Sequence, residues 1–229
     1  MRHLLLKHFV ALMSVVMWGV LMGSNHTHAL SIDNPVKTIL MLGDSLTAGY
    51  NLPASEALPA VLERHMNSQG PRVKMINGGV SGDTAAQGLA RLDWMLNQPI
   101  DGVIIALGAN DMLRGIDPAR TRSDLEAIIV KLKKQRGLPV MLVGMRANPS
   151  LGVEYVQAFE QIFTDLARTH NLTFYPFMLN RVAGSPMLNQ SDGLHPNKQG
   201  IETIAAQMLP TLQEFVVSIK NQFATPPKR

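Results

Sequence analysis

Short apolar runs alternate with longer helical patterns along this chain. Runs fall at 38–42, 73–76, 102–107, 139–144 and 172–175, and helical stretches at 55–68, 84–96, 118–136, 152–169 and 198–220. The run Thr38-Ile39-Leu40-Met41-Leu42 has no polar alternation, so it reads as a strand buried on both faces rather than a half-exposed one. Strands separated by helices predict an α/β fold with a parallel sheet, and five strands are enough for a doubly wound domain. Local signals sharpen several boundaries. Asp117 before Pro118 reads as an N-cap followed by proline at the first helical position, and Gly137 stands where a helix-ending glycine is expected. Pro210 conflicts with its surroundings and predicts a kink in the last helix. There is no internal repeat, low-complexity tract or linker.

The first 29 residues depart from this pattern. Arg2 and Lys7 precede an almost wholly apolar segment from Phe9 to Gly23, and Thr27-His28-Ala29 resembles a small-residue cleavage site. This is the pattern of a secretory leader, with an apolar run short of the ~20 residues of a membrane span. We therefore expect a signal peptide at 1–29, a single domain at 30–229, export across the inner membrane to the periplasm, with release to the extracellular side as the alternative, and no membrane span after cleavage. The chain has no cysteine, which excludes a thiol nucleophile and a thiolate-bound zinc. Its formal charge of +4 is too mild to imply a nucleic-acid partner. The basic residues Lys131, Lys133, Lys134 and Arg136 read as a solvated helix face.

Candidate chemistry lies just beyond the predicted strand ends. Ser45 follows the first strand, Gly82 the second, Asn110 the third, and Asp192 and His195 the fifth. In an open parallel sheet those ends form one rim, where such folds bind ligands. A serine hydroxyl is a poor nucleophile until a base takes its proton, and the base works best when an acceptor fixes its tautomer. Of the seven histidines, His3, His8, His26 and His28 fall in the leader. His65 and His170 sit in helical patterns, where a solvated role is the simpler reading, and His195 follows an aspartate in a loop. Alone, Asp192 and His195 are equally readable as a loop salt bridge, Gly82 as a plain turn, and Asn110 as a residue that tolerates a tight loop. Together they form a possible Ser45, His195 and Asp192 triad. The Ser45 N–H, the Gly82 N–H and the Asn110 amide are the possible donors to an oxyanion.

Through Gly43-Asp44-Ser45-Leu46, Gly82, Gly108-Ala109-Asn110-Asp111 and Asp192-Gly193-Leu194-His195-Pro196, the chain resembles the SGNH hydrolases, or GDSL esterases/lipases. Ser81-Gly82-Asp83-Thr84, Gln87-Gly88-Leu89-Ala90-Arg91-Leu92 and Leu113-Arg114-Gly115 look like the secreted bacterial subgroup of acyl-CoA thioesterases, lysophospholipases and arylesterases. The resemblance implies a three-layer flavodoxin-like sandwich with a five-stranded parallel sheet. It also implies Ser45 as nucleophile, Asp192 and His195 as its partners, and Ser45, Gly82 and Asn110 as the oxyanion hole. No metal or organic cofactor is implied. Asp44 and Asp111 are read as loop-ordering residues.

Fatty acyl esters and thioesters are the expected small-molecule substrates, with carbohydrate-ester deacetylation, metal-assisted phosphoester hydrolysis and non-catalytic ligand binding as alternatives. Met112, Leu113, Phe177 and Met187 are candidate acyl-binding residues, with Leu151, Met178 and Leu188 in the same loops. Methionine is suited to a groove that accepts different chain lengths.

Overall fold

The computed structural model describes residues 36–223, so the predicted leader lies outside the described residues. Five parallel strands form one sheet: β1 (Lys37–Gly43), β2 (Val73–Gly79), β3 (Gly102–Ala106), β4 (Val140–Val143) and β5 (Thr173–Tyr175). Their order is β2-β1-β3-β4-β5. Ile39 to Leu42 and Val103 to Ile105 are fully buried, which is why these strands read as unbroken apolar runs.

The helices are α1 (Ser45–Ala48), α2 (Leu58–Gln69), α3 (Ala85–Met95), α4 (Ala109–Leu113), α5 (Pro118–Val130), α6 (Val153–His170) and α7 (Lys198–Phe223). Helix α2 packs against α7, while α5 packs against both α3 and α6. The division follows from handedness. Right-handed crossovers send the β1-to-β2 helix to one face, and the strand order then reverses, sending the helices after β2, β3 and β4 to the other. The α/β reading with a five-stranded parallel sheet is correct. Among the described residues no helix is long and apolar enough to cross a membrane.

Three local differences have physical causes. The helix expected over 118–136 changes at Lys131 into a wider π turn, Lys131–Gln135. Leu138 N–H then closes onto Leu132 O, and Gly137 adopts φ +66°. Helix α7 runs unbroken through Pro210, which is exposed, so its missing donor lies on the solvent side. Helices α1 and α4 are too short to show a periodicity, and they carry the candidate residues Ser45 and Asn110.

Register sets the geometry of the rim. Gly43 lies opposite Gly79 on β2 and opposite Ala106 on β3, so the three strands finish level. The chain leaves β1 and β3 toward opposite faces, which opens a crevice between them at the switch in strand order. Ser45 and Asn110 stand on either side of it.

Candidate active site

Ser45 opens α1 directly after β1. Asp44 caps this turn, its Oδ1 accepting the Leu46 N–H at 3.0 Å, and Gly49 ends it in the left-handed conformation at φ +81°. The helix lies so close to the end of β2 that a Cβ on Gly79 would meet the Ala48 nitrogen at 2.2 Å, so only glycine fits there. The nucleophile candidate is thus held by a short turn pressed against the sheet.

The other two members of the candidate triad come from the segment joining β5 to α7. An antiparallel bridge between Asn189 and Pro196 braces it, and the Asn189 amide donates to Val182 O and Ser185 O at 2.7 and 2.9 Å. Asp192 Oδ1 accepts the N–H groups of Leu194 and His195 at 2.9 and 3.0 Å. That leaves Oδ2 for His195 Nδ1, at 2.7 Å, and His195 Nε2 lies 2.9 Å from Ser45 Oγ. A carboxylate can only accept, so Nδ1 carries the proton and Nε2 is free to accept from the serine. The backbone N–H of His195, its imidazole and the Leu194 N–H together lower the Asp192 pKa to about 2.

A contact invisible to sequence reasoning completes the histidine's surroundings. The Tyr50 ring lies on His195 with centroids 4.4 Å apart and planes tilted by 32°. Gln190 joins the two segments, its side-chain amide donating to Tyr50 O at 2.8 Å and Pro196 O at 3.1 Å while its N–H donates to His195 O at 2.8 Å. An aromatic face favours an adjacent cation, so Tyr50 suits an imidazole that must become protonated.

Ser45, Asn110 and His195 share a cleft of about 510 Å³. Asn110 lies in α4, and its side-chain amide donates to Asp83 O at 3.1 Å. Gly82 adopts φ +88° in the neighbouring loop, its carbonyl accepting from Arg114 Nη2 at 2.7 Å. It adjoins the site through Asp83 rather than lining the cleft. The remaining wall is mostly apolar and includes Met112, Leu113 and Phe177, as expected, together with Met145 and Leu179, which the loop-based reading missed. Arg146 stands over the Phe177 ring at 5.0 Å.

Met187 is not part of this wall. It is 77 % exposed, with its carbonyl turned to the Asn197 amide. Of its companions in those loops, Met178 is in the core, Leu188 packs against the core, and Leu151 is exposed outside the cleft.

The other acids and histidines point elsewhere. Asp111 accepts from Ala85 N–H at 2.9 Å and Thr121 Oγ1 at 3.3 Å, and burial raises its pKa. His65 pairs with Glu202 and His170 with Glu126. The basic face is partly engaged, since Lys131 and Arg136 both reach Asp93. Among the described residues no group of three or more histidines and acids could hold a metal ion.

Asp44 has one satisfied oxygen, and its Oδ2 is buried without a hydrogen-bond partner. Burial raises its pKa to about 7, against the opposing pull of the Leu46 N–H and of His195. A carboxyl raised in the folded state stabilises most below its unfolded value of 3.8, and that contribution is lost as pH rises through about 7. The difference corresponds to up to about 4 kcal/mol. Asp44→Asn keeps an oxygen for Leu46 and cannot ionise. Its melting temperature should exceed the parent's at about pH 8, with the gap shrinking to less than half by about pH 5 and closing only below about pH 4. An equal gap at both pH values would show that ionisation of Asp44 is not the cause.

Residues 41–202 match the model of the GDSL-like Lipase/Acylhydrolase family. The chain is 38 % identical over 180 residues to a thioesterase 1/protease 1/lysophospholipase L1 of Escherichia coli, covering 78 % of this chain and 85 % of that one. An arylesterase of Vibrio mimicus is 40 % identical over 168 residues, covering 73 % and 84 %. Among solved structures, the psychrotrophic esterase EstA of Pseudoalteromonas sp., in a form inhibited by monoethylphosphonate, aligns with a TM-score of 0.74 at 31 % identity, covering 79 % of this chain and 99 % of that one. With its parallel sheet and its strand-end chemistry, this chain belongs to the GDSL-like lipase/acylhydrolase, or SGNH hydrolase, family and is an ester-bond hydrolase.

Proposed function

We propose that the protein is a serine esterase that hydrolyses carboxylic esters and thioesters of acyl chains through an acyl-enzyme. The observation that carries this reading is the continuous relay from Asp192 Oδ2 through His195 to Ser45 Oγ, with spacings of 2.7 and 2.9 Å, opening into a mostly apolar cleft. Ser45 Oγ attacks the acyl carbon as its proton passes to His195 Nε2, and the carbonyl electrons move onto oxygen. The Ser45 N–H and the Asn110 amide, both from residues of the cleft, stabilise that oxyanion, with the Gly82 N–H of the adjoining loop as the proposed third donor. Collapse of the intermediate breaks the bond to the alcohol or thiol, which leaves with the proton from His195. Water then repeats the attack, giving its proton to His195, and the acyl group departs as a free acid with the serine regenerated.

The apolar wall favours a hydrocarbon acyl chain, and the thioesterase, lysophospholipase and arylesterase names of the relatives support the same substrate class. The predicted leader supports export to the periplasm.

The test compares kcat/KM on matched aryl esters, acyl thioesters and lysophospholipids with acyl chains from acetyl to palmitoyl, for the protein and its Ser45→Ala form. Serine-dependent turnover that persists on longer chains is expected. Turnover confined to acetyl groups would replace this reading with a deacetylase, and turnover independent of Ser45 would end it.

A further inference from the structure

The donors of the oxyanion hole come from three separate segments, and a single side chain is bonded to two of them and, through Asp83, linked to the third. Arg91 projects from α3, a helix that supplies none of the reacting groups. Its Nε donates to Asp83 Oδ2 at 2.6 Å, and its Nη2 donates to Gly43 O at 2.9 Å and Gly78 O at 2.8 Å. The guanidinium and the Asp83 carboxylate are largely buried, with side-chain exposures of 19 % and 9 %.

Each acceptor leads to a donor in a step or two. Gly43 lies two residues before Ser45, and Asp83 directly follows Gly82. The Asp83 carbonyl holds the Asn110 amide at 3.1 Å. Gly78 fixes the end of β2, from which the Gly82 loop departs, and Gly43 O also receives the Val80 N–H at 3.1 Å. A guanidinium presents its donors in a rigid planar fork, so acceptors that bind it are fixed relative to one another.

We propose that Arg91, locked by Asp83, is the positioning residue that sets the mutual spacing of the three oxyanion donors. This rests on the serine-esterase reading. Arg91 touches neither substrate nor nucleophile. It acts through backbone and carboxylate contacts, and its effect falls on the transition state, where the oxyanion exists, rather than on binding of the uncharged ester. A displacement of about 1 Å at such a site costs up to ~10²-fold in rate.

Arg91→Lys tests this, because lysine retains a charge for Asp83 and lacks the fork. Parent, Arg91→Lys, Asn110→Ala and the double variant are compared on one ester whose turnover is abolished by Ser45→Ala. That prior control separates failure of the esterase reading from failure of this proposal. The expected result for Arg91→Lys is a kcat ~10- to 10²-fold below the parent with KM within about twofold. The midpoint of the rate–pH profile should stay unmoved, because the contacts of His195 are intact.

In the Asn110→Ala background the same substitution should cost clearly less, since one of the donors it positions is already gone. A kcat equal to the parent's, a rise in KM at constant kcat, or equal losses in both backgrounds would each overturn the proposal. Should Arg91→Lys fail to fold, Asp83→Asn replaces it. This variant keeps an oxygen for Nε and the backbone carbonyl for Asn110, and the same split between kcat and KM and the same non-additivity are required of it.

Discussion

Ser45→Ala is expected to reduce kcat by at least ~10³-fold while leaving the protein folded. Both halves of that expectation follow from the contacts. The hydroxyl bonds to His195 Nε2, and neither the cap on α1, which belongs to Asp44, nor the packing of α1 on Gly79 depends on it. Alanine is also a good helix former at the start of such a turn. His195→Ala should cost about as much, and the double variant little more than either alone, because base and nucleophile act in one step. The checks are steady-state turnover on an aryl ester and a melting curve for each variant. Near-normal turnover by a folded, uncontaminated Ser45→Ala preparation would eliminate Ser45 as the nucleophile.

Asp192→Asn should be almost as damaging although it changes so little in shape. The asparagine Oδ1 can still accept the N–H groups of Leu194 and His195, so the turn that presents the histidine survives. What now faces Nδ1 is an amide N–H, a donor where the imidazole needs an acceptor. The ring then holds its proton on Nε2 and turns an N–H toward the serine, so it cannot take the serine's proton. A loss of ~10⁴-fold in kcat is expected, the scale that this tautomer error produces in serine proteases. Because Asp192 is held at a pKa of about 2, the parent carboxylate is ionised throughout any neutral assay, and buffer pH should not mask the contrast. Turnover within about tenfold of the parent's would mean that the carboxylate does not orient the base.

The sheet could be read closely from sequence because buried parallel strands must be apolar on both faces, which leaves runs that periodicity detects. Candidate chemistry was readable for a different reason, since Ser45, Gly82, Asn110, Asp192 and His195, mostly ordinary loop residues one by one, form an uncommon coincidence when they follow strand ends in this order. Their spatial arrangement was not readable. Tyr50 reaches His195, and Gln190 reaches Tyr50, across a separation of 140 positions, and no local pattern encodes such contacts. An aromatic residue just after the glycine that ends α1 was the available signal for Tyr50. Arg91 entered the sequence reading only as one residue of the string Gln87 to Leu92, although it reaches the rim through three acceptors. The wall of the cleft was half-readable. Apolar loop residues were the right class, yet whether each faces the cleft, as Phe177 does, or solvent, as Met187 does, depends on how the segment after β5 folds back on itself.

The level strand ends at Gly43, Gly79 and Ala106 divide labour along the rim. The proposed nucleophile and oxyanion donors leave from β1, β2 and β3, while Met145 to Pro149, on the cleft wall proposed to receive the acyl chain, leave from β4. That stretch contributes no group to bond breaking and no strand to the sheet. Substitutions within it can therefore change which ester is chosen while the machinery that cleaves it keeps its form, so substrate range and reaction chemistry are free to evolve at different rates on this scaffold.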